Sequence, residues 1–201
     1  MAKKFLVNDS PYTFKPLFEY YEVDEKILRS VLDDKKSELE WGIIESWEKG
    51  SIDGESAAKF TALMQSISLD AARYLAKHID LRKELNVNSL LDVAGGSGCY
   101  SIAFSEVQEV KTIELDMGPV CQLAESFNSK SMALKSSVLT YTSDMFREPF
   151  PASDDPKYGY QAVFFSNIIH DWDETTHRML LKKSFDALPS KGCIMIRVAL
   201  L

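Results

Sequence analysis

Residues 89–98 read Ser-Leu-Leu-Asp-Val-Ala-Gly-Gly-Ser-Gly, and this short stretch restricts the chain more than any other. Leu90, Leu91 and Val93 do not alternate with polar residues, the pattern of a parallel strand covered on both faces. Gly95, Gly96 and Gly98 follow at once, where a side chain would obstruct a tight turn or the close approach of a ligand. Tyr100 to Phe104 then opens a helix whose first amides point back at that turn. A buried strand, a glycine turn and a helix N-terminus in that order predict a nucleotide-type site at the carboxyl end of the first strand of an open α/β sheet.

Two cofactor chemistries compete for the turn. Gly96, Gly98 and Ser101 nearly satisfy the dinucleotide fingerprint, which asks for glycine or alanine in the last place. Asp92, however, sits in the strand just before the glycines, where a pyrophosphate would meet a like charge. S-adenosylmethionine has no phosphate and carries a sulfonium and an ammonium, both attracted to a carboxylate at that point. A strand-to-helix turn that binds nothing would use the same glycines.

With 201 residues, 45% hydrophobic and 26% charged, the chain has room for one large domain or two small ones and a sizeable core. Its net charge of -7 comes without a Lys/Arg-rich stripe. That balance argues against nucleic acid and anionic membranes and leaves a small molecule as the expected partner. Cys99, Cys121 and Cys193 form no C-x-x-C pair and have no histidine at ligand spacing, so neither a metal site nor a disulfide framework is expected. Reduced thiols suit a cytoplasmic protein. Lys3 and Lys4 precede only Phe5, Leu6 and Val7, too short for a signal-peptide core, and no apolar run approaches the length of a membrane span.

Residues 11–21 contain Pro11, Pro16 and five aromatic side chains, which suggests a packed irregular or helical arm. Apolar residues recur at helical spacing over 24–33 and 37–49, and Lys49-Gly50-Ser51 with Asp53-Gly54 marks a break. From Glu55 to about Ile79 the pattern predicts two helices, or one bent near Ser66 to Ser68. Residues 1–85 therefore read as a helical region, on the dimerisation and acceptor side. Residues 86–201 read as a Rossmann-like cofactor-binding domain, with strands at 88–93, 110–116, 136–141, 161–166 and 193–200 and helices at 98–106, 118–128 and 173–187. The stretch 144–159, with Pro149, Pro151 and Pro156, predicts a long loop.

Four motifs in order give this α/β chain a family resemblance. Leu91-Asp92-Val93-Ala94-Gly95-Gly96-Ser97-Gly98, Asp116-Met117-Gly118-Pro119-Val120, Asp144-Met145-Phe146 and Ile169-His170-Asp171-Trp172, followed by Asp173-Glu174, resemble the small-molecule O-methyltransferases of the caffeate and hydroxyindole type. The family prefers glycine where Ala94 stands. The resemblance implies the class I methyltransferase fold and S-adenosylmethionine as cofactor, held by Ser68, Asp92, Gly95, Gly96, Gly98, Asp116, Asp144 and Met145. Asp116 would accept the ribose hydroxyls, with Glu114 as its rival, and Asp144 with Met145 would hold the adenine. Phe60 and Met64, one helical turn apart, match acceptor-side positions, although such a stripe is more often core. His170 would be the general base that takes the acceptor hydroxyl's proton. His78 and His177 lie in amphipathic helices and have no such setting.

The departures from the family pattern carry expectations of their own. A glutamate that braces the catalytic histidine corresponds here to Val198, and Asp171 is expected to turn into the following helix N-terminus instead. The chain looks shortened at both ends relative to the family, and a homo-oligomer is expected. The leading expectation is methylation of a hydroxyl on an aromatic or polyketide-like molecule. A non-catalytic cofactor-binding or oligomerising relic is the rival, and a nicotinamide-dependent oxidoreductase is the third reading.

Overall fold

The computed structural model describes residues 45–133 and 137–198. The arm at 11–21 and the helix predicted at 24–33 lie outside them, as do most of the helix predicted at 37–49 and the start of the strand predicted at 136–141. The chain divides into two compact units between Ile67 and Ser68.

In the first unit, residues 45–49 are helical. Helix α1, Gly54–His78, begins there. Asp53 starts it, its carboxylate accepting the amides of Glu55 and Ser56 at 3.0 and 2.9 Å, the role a side-chain oxygen plays at a helix start. Trp47 and Phe60 pack with ring centroids 6.1 Å apart. Helix α1 is unbroken through Ser66 to Ser68, unlike the first sequence expectation of two helices.

The second unit is an open parallel sheet of β1 Ser89–Val93, β2 Lys111–Asp116, β3 Val138–Thr142, β4 Ala162–Ser166 and β5 Cys193–Arg197. The strand order is β3-β2-β1-β4-β5, with every pairing parallel. This is the Rossmann-like α/β class expected from the sequence, and each predicted strand is present. The boundaries move by one or two residues, apart from β5, which ends at Arg197. The order reverses at β1 and β4, the point at whose carboxyl-end side open α/β sheets bind their ligands.

Each face of the sheet follows from strand alternation. Leu91, Val93, Ile113, Leu115, Val163 and Phe165 join Leu180, Phe150 and Tyr160 in one buried cluster. Leu180 belongs to helix α5, Glu174–Ala187. On the opposite face Phe164 meets Tyr100 and Phe104 edge-on at 5.5 and 5.9 Å, both from helix α3, Cys99–Gln108. Helix α4, Gly118–Ser129, follows β2. A short helix α2, Leu81–Leu85, is additional to the sequence reading. Asp80 accepts the Lys83 amide and Glu84 accepts the Asp80 amide, both at 3.0 Å, a reciprocal cap that satisfies two otherwise orphaned donors. No helix among the described residues is long and apolar enough to cross a membrane.

Candidate active site

The glycine turn is as tight as its composition implies. A Cβ on Gly95 would lie 2.8 Å from Glu114 Cγ and 3.0 Å from Asp92 Cγ, closer than carbon atoms tolerate. Gly96 and Gly98 take the left-handed conformation with φ of 63° and 70°, which costs a side-chain-bearing residue about 1–2 kcal/mol. Ala94 adopts it too, at φ 53°, at the position where the family prefers glycine. Gly98 stands at the N-terminus of α3 with no side-chain cap, so amides there remain available to a ligand.

Three carboxyl groups surround this turn. Asp116 ends β2 partly exposed. Its Oδ2 accepts the Gly96 amide at 3.0 Å and its Oδ1 the Met117 amide at 2.8 Å, tying the strand end to the glycine turn. Burial nevertheless pushes its pKa up to about 6. Asp92, 1% exposed, accepts the Ser101 hydroxyl on Oδ2 at 2.9 Å. Burial outweighs that bond and raises its pKa to about 7. Glu114, the sequence rival of Asp116, is fully buried beneath Gly95 rather than at the strand end. Ser101, read from sequence only as an imperfect last glycine, is the hydroxyl partner of Asp92.

The next strand end carries the Asp-Met-Phe motif. Asp144 Oδ1 accepts the Phe146 amide at 2.8 Å and Oδ2 pairs with Arg147 at 2.5 Å. Burial pulls its pKa upward, but Arg147 and the loop amides outweigh it and hold the carboxyl below its usual range. Met145 packs against the main buried cluster. Lys183 of α5 binds the carbonyls of Met145, Phe146 and Glu148 at 2.8–2.9 Å, a clamp on the loop that the sequence did not disclose.

His170 lies in a single 3-10 turn, Ile169–Asp171, after β4. Its Nε2 is 3.3 Å from Asp171 Oδ1. Asp171 therefore faces the histidine, contrary to expectation. The helix N-cap is Asp173, whose Oδ1 accepts the Thr176 amide at 2.8 Å. Burial raises the Asp171 pKa and the nearby His170 pulls it back. His177 lies in helix α5, as the sequence predicts, and its Nε2 is 2.6 Å from the Ile169 carbonyl of that turn. Position in the first turn of α5, next to the His-Asp-Trp motif, is the signal that could have revealed it. Trp172 packs edge-on against Phe146 at 4.8 Å and so joins the two motifs. Val198 follows β5 directly and offers no side-chain acceptor.

Ser68 is buried on α1. Phe60 and Met64 precede the division between the units and are half-buried on the same helix. The structure thus brings together Asp92, Gly95, Gly96, Gly98 and Asp116 around one turn, and Phe146 with Trp172 at a second.

This arrangement has relatives among known proteins. A model of the O-methyltransferase domain matches residues 22–201. The chain belongs to that family. It is 31% identical over 145 residues to a 3-hydroxy-5-methyl-1-naphthoate 3-O-methyltransferase of Streptomyces sahachiroi, covering 72% of this chain and 39% of that protein. It is 28% identical over 138 residues to an L-tyrosine C(3)-methyltransferase of Streptomyces lavendulae, covering 68% of this chain and 35% of that protein. The chain thus spans well under half the length of these relatives. Human N-acetylserotonin methyltransferase, solved with SAM, shares the fold with a TM-score of 0.72 and 15% identity, covering 97% of this chain and 55% of that one.

Proposed function

We propose that this O-methyltransferase-family chain binds S-adenosylmethionine at the Gly95 turn and serves methyl transfer to a hydroxyl of an aromatic or polyketide-like acceptor. The observation that carries the reading is the turn itself: no room for a Cβ at Gly95, and Asp116 anchored to the Gly96 amide at 3.0 Å. These residues fit the cofactor. Asp116 has a carboxylate for the ribose hydroxyls, Met145 a thioether for the adenine face, and Asp92 a negative charge for the cationic end. A pyrophosphate would meet three carboxyl groups here, which disfavours a nicotinamide dinucleotide.

The bound cofactor would supply the electrophilic methyl group. His170 accepts the acceptor's phenolic proton in this reading, beside Asp171 as the available carboxylate. A phenol of pKa about 10 gives its proton to an imidazole of about 6.5 only uphill. Val198 removes the family's brace, so turnover by this chain is slow, and the non-catalytic reading draws its support from that position. Residues 1–85 serve as the dimerisation and acceptor side in this proposal, with Phe60 and Met64 assigned to the acceptor and Ser68 to the cofactor. A homo-oligomer belongs to this reading, and light scattering at tens of micromolar tests it. A cytoplasmic location belongs to the same reading.

The test of function is a methyl-transfer assay over catechols, hydroxyindoles and hydroxynaphthoates with the unmodified chain, His170→Ala and Val198→Glu. Weak turnover, lost in His170→Ala and raised in Val198→Glu, supports the mechanism. Turnover indifferent to His170→Ala overturns it.

A further inference from the structure

Asp92 and Glu114 are register partners on β1 and β2. Their side chains leave the same face of the sheet one strand spacing apart, about 4.8 Å. They are 1% and 0% exposed. Asp92 Oδ1 and both oxygens of Glu114 accept no hydrogen bond in the structure. The Ser101 hydroxyl reaches Asp92 Oδ2, and the Cys121 thiol beside Glu114 donates to the Asp116 carbonyl at 3.2 Å. Both carboxyl side chains press on the underside of Gly95.

The other groups facing the pair are Asp116 from β2, Cys99 and Tyr100 from α3, and Cys121 and Glu125 from α4. None of them is a cation. The thiols are pushed up to about 12 and stay neutral. Buried acceptors without donors, crowded by like charge, are satisfied by a proton or by a positive ligand.

We infer that Asp92 and Glu114 form a charge-selecting pair that holds a proton in the free chain and yields it when a cationic ligand occupies the Gly95 turn, favouring the methyl donor over its demethylated product. The inference rests on the cofactor reading above. S-adenosylmethionine carries a sulfonium, an ammonium and a carboxylate, a net positive charge, whereas the product keeps only the last two and is neutral overall. Both ligands bring the same ribose to Asp116, so that contact cancels between them. Burial sets Asp92 at about 7 and Glu114 well above its ordinary value, and the proton belongs to the pair rather than to either residue. A nearby positive charge lowers both, and the neutral product does not.

The experiment is isothermal titration of the chain with S-adenosylmethionine and with S-adenosylhomocysteine at pH 6.5, in two buffers of different ionisation enthalpy. The range stays below the α-amino pKa of about 7.7–8.0. If the donor lowers the pair by about one unit, it releases about half a proton more than the product, and the donor-to-product affinity ratio rises several-fold between pH 5.5 and 7.0. The Asp92→Asn, Glu114→Gln double variant keeps the shape and loses both the excess proton and the pH-dependent ratio. Equal proton counts for two ligands that both bind overturn the inference and leave the cofactor reading standing. Retention of the excess proton by the double variant also overturns it. Failure of both ligands to bind the unmodified chain overturns the inference and the cofactor reading together.

Discussion

At the carboxyl ends of β1 and β2 three carboxyl groups crowd a glycine turn, two of them fully buried. At the carboxyl end of β4 the side chains of His170 and Asp171 stand 43% and 38% exposed on a single 3-10 turn. The first region is shaped by packing, so its chemistry is set by desolvation. The second is held from the periphery, by His177 on the Ile169 carbonyl, Asp173 at the helix start and Trp172 against Phe146. Under the proposed function, changes in the first region act on stability and binding together, whereas changes in the second act on turnover and leave the fold intact.

The largest expected effect is on pH dependence. The Asp92 and Asp116 pKa values are raised to about 7 and about 6, so the folded chain keeps protons that the unfolded chain gives up near the ordinary 3.8. Their unfavourable burial is absent below pH 4 and fully present above pH 7. Stability contributed by this cluster thus falls as pH rises across that window, on the order of a few kcal/mol. Asp173 behaves oppositely: held below its ordinary value by the Thr176 amide, it stabilises above pH 4 and that contribution is lost as pH falls. Urea unfolding at pH 4.5 and 7.5 should show Asp92→Asn gaining stability relative to the parent at the higher pH. An unchanged difference between the two pH values would remove the distinction between the regions.

Gly95→Ala comes next. Its Cβ has no space between Glu114 and Asp92, and overpacking of this kind costs about 1–3 kcal/mol, read as a lower urea midpoint with loss of donor binding. His170→Ala sharpens the contrast, because an exposed side chain should change stability by no more than about 0.5 kcal/mol. His177→Ala removes the bond to the Ile169 carbonyl. It should cost about 1 kcal/mol and lower turnover without altering donor affinity in titration. The smallest effect belongs to Ala94→Gly: relief of a left-handed alanine at φ 53° is partly cancelled by the flexibility of unfolded glycine. A net gain of a few tenths of a kcal/mol in the same urea assay is expected.

β4 was legible as a continuous apolar run and β1 as a nearly continuous one, whereas β2 was legible from Ile113 and Leu115 alternating with polar residues, although all three are buried on both faces. The turn was legible because Gly95 and Gly96 answer to sterics that sequence records directly. Helix α2 was not, since five residues are too few for a periodic pattern and only its cap betrays it. The orientation of Asp171 was not legible because both it and Asp173 precede α5, and only backbone conformation distinguishes a residue in the 3-10 turn from one at the N-cap. The Asp92 and Glu114 pairing lay beyond local reading, because strand register is a relation between segments 22 residues apart by sequence number. The His177 contact was missed because its partner is the Ile169 backbone carbonyl, and only its place in the first turn of α5 beside the His-Asp-Trp motif hints at it.

The most direct test of the central claim is titration of the unmodified chain and of Asp116→Ala with S-adenosylmethionine and with NAD, side by side. The account predicts binding of S-adenosylmethionine with micromolar affinity, no binding of NAD, and a loss in Asp116→Ala of about 1.5–3 kcal/mol, roughly one to two decades. Binding of NAD in preference, or an unchanged S-adenosylmethionine titration in Asp116→Ala, would contradict it.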